Sequence, residues 1–217
     1  MNNQPGFFLT IEGIEGAGKS TLASLLQQSL TLAGFEVLVT AEPGGDGVGN
    51  RIRQLVLDSS NLICDRAELL LFEAARAQHV DMTIRPALKQ GLVVISDRFA
   101  DSSIAYQGYA RGIDLDIVKM LNDYAVDGVK PDLTILLDLP VESGLARQEE
   151  IDRVSLEKLA FHEAVRQGFL TLANEEPGRI IVIDATLDLD EVLRQALAAI
   201  AAHGLRAIEA TNSSIQF

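Results

Sequence analysis

Cysteine, long apolar runs and basic residues are what this sequence has least of, and each shortage excludes a class of protein. With Cys64 alone, no disulfide can close within the chain and no four-cysteine zinc site can be built, which fits a reducing compartment. No apolar run approaches the roughly 20 residues that cross a bilayer, and no basic segment followed by an apolar stretch stands at the N-terminus, so a cytoplasmic protein with no membrane partner is expected. Lys and Arg number 18 against 31 Asp and Glu, a formal charge of −13. Proteins that bind nucleic acid gain affinity by neutralising phosphates with such cations, so the balance argues against an extended nucleic-acid surface. A small anion held by a few placed arginines fits it.

What is present is a chain with 47% hydrophobic residues over 217 positions, enough for one full core. Short β-branched runs alternate with longer helical patterns, the order that βαβ units and a parallel sheet require. Strands are predicted at Phe7 to Ile11, Val37 to Thr40, Leu92 to Ser96, Leu133 to Leu137 and Ile180 to Ile183. Helices are predicted at Lys19 to Ala33, Ala67 to Val80, Leu115 to Ala125, Leu156 to Ala173 and Asp190 to Ala202. Gly34, Gly91 and Gly178 stand where helix ends hand over to strands. The expected fold class is α/β, a five-stranded parallel sheet flanked by helices, in one domain over residues 1–205. Residues 206–217, polar and aperiodic, read as a loose tail.

Gly13, Ile14, Glu15, Gly16, Ala17, Gly18, Lys19 and Ser20 match the phosphate-binding pattern GxxxxGK[ST], with Thr21 following. In that pattern the glycines let backbone N–H groups and a helix N-terminus face a polyphosphate. The lysine reaches its β and γ phosphates, and the hydroxyl takes a magnesium position. The context agrees, because an apolar strand precedes the loop and an amphipathic pattern, Leu22, Leu25, Leu26 and Leu30, follows it.

Three further stretches stand at expected strand ends or on a helix. SDRF, Ser96 to Phe99, ends an apolar strand, where ligands of open α/β sheets bind. Asp97 there suits magnesium or its waters, and Arg98 suits a transferring phosphate. EPGG, from Glu42 and Pro43 to Gly45, reads either as a close-approach edge or as a plain turn. Phe72 and Arg76 are spaced i, i+4 on one helix face. That spacing allows stacking and hydrogen bonding to a planar base, though alone it favours a core Phe and a surface Arg.

GIEGAGKST, EPGG, LFEAARAQ, SDRF and SSIAYQG, in this order, resemble the bacterial thymidylate kinases, which transfer the ATP γ-phosphoryl to dTMP. The likeness runs from about Phe7 to about Ala202. It implies Phe72 against thymine, Arg76 bonded to the base, and Tyr106 crowding the ribose 2′ position, with Ser103 and Gln107 nearby. Arg98 and Arg53 are similar to acceptor-phosphate arginines, and Glu15 to an acid near the acceptor sugar and magnesium. Asp184 and Ala185 resemble the loop that passes the ATP adenine. The resemblance also implies Mg2+ with ATP, and a homodimer.

An acceptor phosphate is already anionic at pH 7, so the reaction needs alignment and charge neutralisation more than a base. His79, His162 and His203 lie outside these motifs and read as helix-surface or partly packed residues. Two departures qualify the likeness: Ala41 stands where family members often carry arginine, and the lid, residues 145–155, is short. With no arginine inside the P-loop, Arg153 or else Arg147 is expected to complete the phosphate site from that lid. No Asn is followed by Lys, so the guanine-switch signature NKxD is missing.

Overall fold

The computed structural model describes residues 6–148 and 152–205. The expected tail at 206–217 lies outside the described residues, as do positions 149–151 of the expected lid.

Five parallel strands form one sheet in the order β2-β3-β1-β4-β5: β1 Phe7–Glu12, β2 Val37–Ala41, β3 Val93–Asp97, β4 Leu133–Asp138 and β5 Ile180–Asp184. Central β1 pairs with β3, Ile11 opposite Asp97, and with β4, Ile11 opposite Ile135. Side chains alternate between the sheet's two faces. Leu9, Ile11, Val93 and Ile95 accordingly pack into one buried cluster with Leu22, Leu26 and Val165. Phe8 and Val94 join another, with Ile84 and Phe99. Cover on both faces of the central strands explains why these read as mainly apolar runs.

The helices are α1 Lys19–Leu32, α2 Gly47–Leu57, α3 Asp65–His79, α4 Arg85–Lys89, α5 Ala100–Ser103, α6 Leu115–Val126, α7 Val141–Ala146, α8 Leu159–Glu175 and α9 Leu189–Ala202. A π-helical turn, Val80–Ile84, joins α3 to α4, and a longer one, Ile104–Ala110, continues α5. Four of these helices, α2, α4, α5 and α7, were not expected. The Asp46 carboxylate opens α2 by accepting the N–H groups of Val48 and Gly49, and Val48, Ile52, Leu55 and Val56 then repeat at helical spacing, so both cap and period were in the sequence although no helix was expected there. The helix expected from Leu156 starts at Leu159. Asp152 accepts from the backbone of Val154 and Ser155, and that turn consumes the preceding residues.

The chain leaves β1 towards β2, then after β3 crosses to the opposite side for β4. The carboxyl ends of β1 and β3 therefore open onto one crevice, the place where such sheets bind ligands.

Candidate active site

A cavity of about 460 Å3 occupies that crevice. At its floor, Gly18 takes a left-handed conformation (φ 90°) and no side chain among the described residues caps α1, so the helix's first N–H groups are left for an anion. Gly16 must be glycine: at φ 70° a Cβ would stand 1.9 Å from the carbonyl oxygen of Gly144 in α7. Buried Lys19 donates from Nζ to the carbonyls of Gly13 (3.2 Å) and Ile14 (2.8 Å). Burial, together with the charge of Arg98, pulls its pKa down to about 8. A phosphate would restore the charge that burial opposes. Glu15, Gly16, Lys19 and Ser20 line the cavity; Gly13, Ile14, Ala17, Gly18 and Thr21 build the turn and helix start behind it.

The Ser20 hydroxyl donates to Asp97 Oδ2 at 2.5 Å, which joins the loop to the end of β3. Among the described residues, no three His, Cys, Asp or Glu side chains are placed to hold an ion unaided. Ser20 and Asp97 therefore fit an ion whose other positions are filled by phosphate oxygens and water, the preference of Mg2+. Glu15, the third expected ligand, points elsewhere: Oε1 accepts from the Tyr106 hydroxyl (2.6 Å) and Arg98 Nη2 (3.0 Å).

Arg98 sits at φ 70°, a backbone position disfavoured for any residue with a side chain. Three bonds hold it there. Its N–H donates to Ile11 O, its carbonyl accepts from the Ser96 hydroxyl, and the next N–H, of Phe99, donates to Glu12 Oε1 at 2.8 Å. Ser102 donates to the other Glu12 oxygen at 2.6 Å. Burial and the charge of Asp101 push the Glu12 carboxyl up to about 7. Glu12 was not singled out in the sequence, because a polar residue ending a strand reads as the start of a loop.

At the other end of the cavity stand Phe72, Arg76, Ser103, Tyr106 and Gln107. Arg76 is not the surface residue its spacing suggests. It is 2% exposed and donates to Glu42, Glu73, Ser103, Asn122 and the Phe99 carbonyl. Nη2 carries two hydrogens and meets only Phe99 O among the described residues, so one N–H remains for a ligand in the cavity. Glu42 also takes His79 Nδ1 at 2.9 Å, so its carboxylate anchors α3. Pro43 lines the cavity and accepts from exposed Arg53 at 3.1 Å. Gly45 leaves room for the His79 ring, which a Cβ would meet at 2.2 Å.

Arg147 and Arg153, expected on a lid, and Asp184 and Ala185, expected beside adenine, stand outside this cavity. Arg147 Nη1 donates to the carbonyl of Ala185 at 3.0 Å. Exposed Asp184 accepts the N–H and hydroxyl of Thr186, and Ala185 N donates to Asp138 O. Arg153 donates to Val56 O and ion-pairs with Glu68 Oε2. Glu68, 1% exposed, also gathers Arg111 and Gln107. This lid-to-α3 network carried no motif, and only the position of Glu68 among apolar helix residues hinted at it. His79 and His162 are fully buried, contrary to the expectation of surface or partly packed residues.

Comparison with known proteins agrees with this geometry. The thymidylate kinase family model matches residues 11–196. A thymidylate kinase from Trichlorobacter lovleyi is 49% identical over 195 residues, covering 85% of this chain and 92% of that protein. One from Halothermothrix orenii is 48% identical, covering 88% and 94%. The crystal structure of thymidylate kinase from Ehrlichia chaffeensis superposes with a TM-score of 0.76 at 34% identity, over 90% of this chain and 98% of that one. A phosphate loop that shares one cavity with an aromatic pocket, in the fold of these relatives, places this chain in the thymidylate kinase family.

Proposed function

We propose that the protein transfers the γ-phosphoryl group of ATP directly to the phosphate of dTMP, giving dTDP and ADP. The observation that carries this reading is the single cavity that runs from Lys19 to Phe72. One end suits polyphosphate and the other suits a flat base beside a buried guanidinium. Lys19 and Arg98 would neutralise charge on the donor and acceptor phosphates. Tyr106, its hydroxyl held by Glu15, would close the space beside the acceptor sugar, and Ser103 and Gln107 would flank the base. Arg53, at the cavity mouth, would meet the acceptor phosphate.

Mg2+ would be held by Ser20 and Asp97, and when bound it supplies charge neutralisation between phosphate oxygens. Asp184 and Ala185 would border the adenine. Arg147, already on Ala185, or Arg153, on leaving Glu68, would complete the phosphate site. A cytoplasmic homodimer is the setting that fits this reading.

ADP release measured by a coupled assay with dTMP, dUMP, dCMP, AMP and GMP tests the assignment. dTMP is expected to be the preferred acceptor. Phe72→Ala should lower kcat/KM for dTMP by about tenfold or more, as loss of a buried aromatic contact implies. Tyr106→Phe should narrow the preference over the ribonucleotides. Preference for another monophosphate would keep the kinase and remove the substrate. If Arg147→Ala and Arg153→Ala both retained full kcat, neither arginine would serve the transfer.

A further inference from the structure

His162 lies in the first turn of α8, the helix that follows the lid, and its side chain is 0% exposed. Neither ring nitrogen has a hydrogen-bond partner among the described residues. A buried imidazole with two orphaned nitrogens is costly, since each lost its water on folding. Glu15 Oε2 is orphaned in the same way, and it is the atom that His162 Nδ1 faces, at 3.4 Å. The two groups thus confront each other at the long edge of hydrogen-bonding distance, in a geometry that makes no proper bond, and the contact needs the Nδ1–H tautomer.

The other side of Glu15 explains why the gap exists. Oε1 already holds Tyr106 and Arg98, and Arg98 also reaches Gly13 O at 3.0 Å. The carboxylate is drawn towards the cavity by these donors and away from α8. An acceptor phosphate competes with Glu15 for the Arg98 guanidinium. Once Arg98 turns to the phosphate, Glu15 keeps one strong donor on Oε1 and stands free to settle back on His162.

We infer that His162 is a positioning residue whose Nδ1–H takes up Glu15 Oε2 as the acceptor nucleotide draws Arg98 away, so that the P-loop carboxylate stays fixed against Tyr106. The inference rests on the acceptor role proposed for Arg98. It ties α8, and the lid before it, to the P-loop through one side-chain contact. Packing alone would ask only for a ring of this size, as the edge-on contact with Phe161 at 5.6 Å does. A donor aimed at an orphaned carboxylate oxygen asks for nitrogen.

Two substitutions separate these demands. His162→Phe keeps a ring and removes both nitrogens; His162→Asn loses ring volume but places an amide N–H near the Nδ1 position. Steady-state kinetics with dTMP should show kcat/KM for dTMP falling about tenfold in His162→Phe, the loss expected for a hydrogen bond to a charged group. KM for ATP should change less than about twofold, and His162→Asn should recover to within about threefold of wild type. In a Glu15→Gln background, His162→Phe should add little, because its partner is no longer a carboxylate. Full activity in His162→Phe overturns the inference, as does an equal loss in His162→Asn or an undiminished effect in the Glu15→Gln background. An inactive wild type would end the dTMP reading instead, and the ring 15N spectrum of the free protein then decides. Protonation of His162 at Nδ1 supplies the donor that the inference requires and supports it, and an Nε2–H tautomer overturns it.

Discussion

A carboxyl group sealed at the end of β1 must find donors or give up its charge, and Glu12 does some of each. It is 0% exposed and takes donors from Phe99 and Ser102, yet burial and Asp101 still push its pKa up to about 7 from an ordinary 4.5. The folded-state value is the higher one, so proton uptake by Glu12 favours folding below about 4.5, and that contribution is lost as pH rises through about 7. A gap of this size corresponds to about 3 kcal/mol if the whole of it is expressed. Glu12→Gln keeps an acceptor for Phe99 N–H and never ionises. Urea unfolding should therefore find the variant more stable than wild type by about 2 kcal/mol at pH 8, with the difference shrinking towards zero at pH 5. A difference that is the same at both pH values would show that Glu12 is not the titrating group.

Between elements, the tightest constraint on the site is backbone against backbone, where α7 crosses the P-loop. Gly144 needs no special φ, yet a Cβ there would lie 2.6 Å from the carbonyl oxygen of Glu15 and 3.0 Å from Ile14 Cδ1. The nearer neighbour is backbone and cannot swing aside as a side-chain methyl can. Gly144→Ala should push the loop aside and weaken ATP binding about tenfold or more, within the 1–3 kcal/mol that overpacking costs. Calorimetric titration with ATP measures this, and unchanged affinity would mean that the loop yields freely. Gly144 carried no signal in the sequence, because its constraint comes from a segment more than a hundred positions away. The strands were legible for the opposite reason: burial, on both faces for the central ones, makes each a mainly apolar run. Even so, all five extend one residue past the run at the carboxyl end, to Glu12, Ala41, Asp97, Asp138 and Asp184. Four of these are acids, which read as loop but remain in the ladder; of the four, Asp97 lines the crevice. The P-loop was readable because its spacing defines it, and SDRF because it ends an apolar strand. Arg76 was not, since i, i+4 spacing cannot tell a buried guanidinium with five partners from an exposed one.

At the scale of the whole molecule, the remaining question is what covers the apolar surface that the fold leaves out. Ile117, Met120 and Tyr124 are 47%, 61% and 85% exposed and follow one stripe of α6. Leu70, 55% exposed, stands on α3, which packs beside α6. The proposed homodimer would bury this stripe against its copy, a self-complementary contact about a two-fold axis. Two chains of charge −13 repel one another, so the dimer should tighten as salt screens that repulsion while the apolar contact is unaffected. Met120→Glu together with Tyr124→Glu would place carboxylates where the stripe must be dry. Sedimentation should then show the dimer dissociating at protein concentrations at least about thirtyfold higher than for wild type, the effect of about 2 kcal/mol at a buried position. Thermal unfolding of the monomer should change little, because both side chains are already in water when the chain is alone. A dimer that survives the double substitution would move the interface off α6, and a wild type that sediments as a monomer at all salt concentrations would remove it altogether.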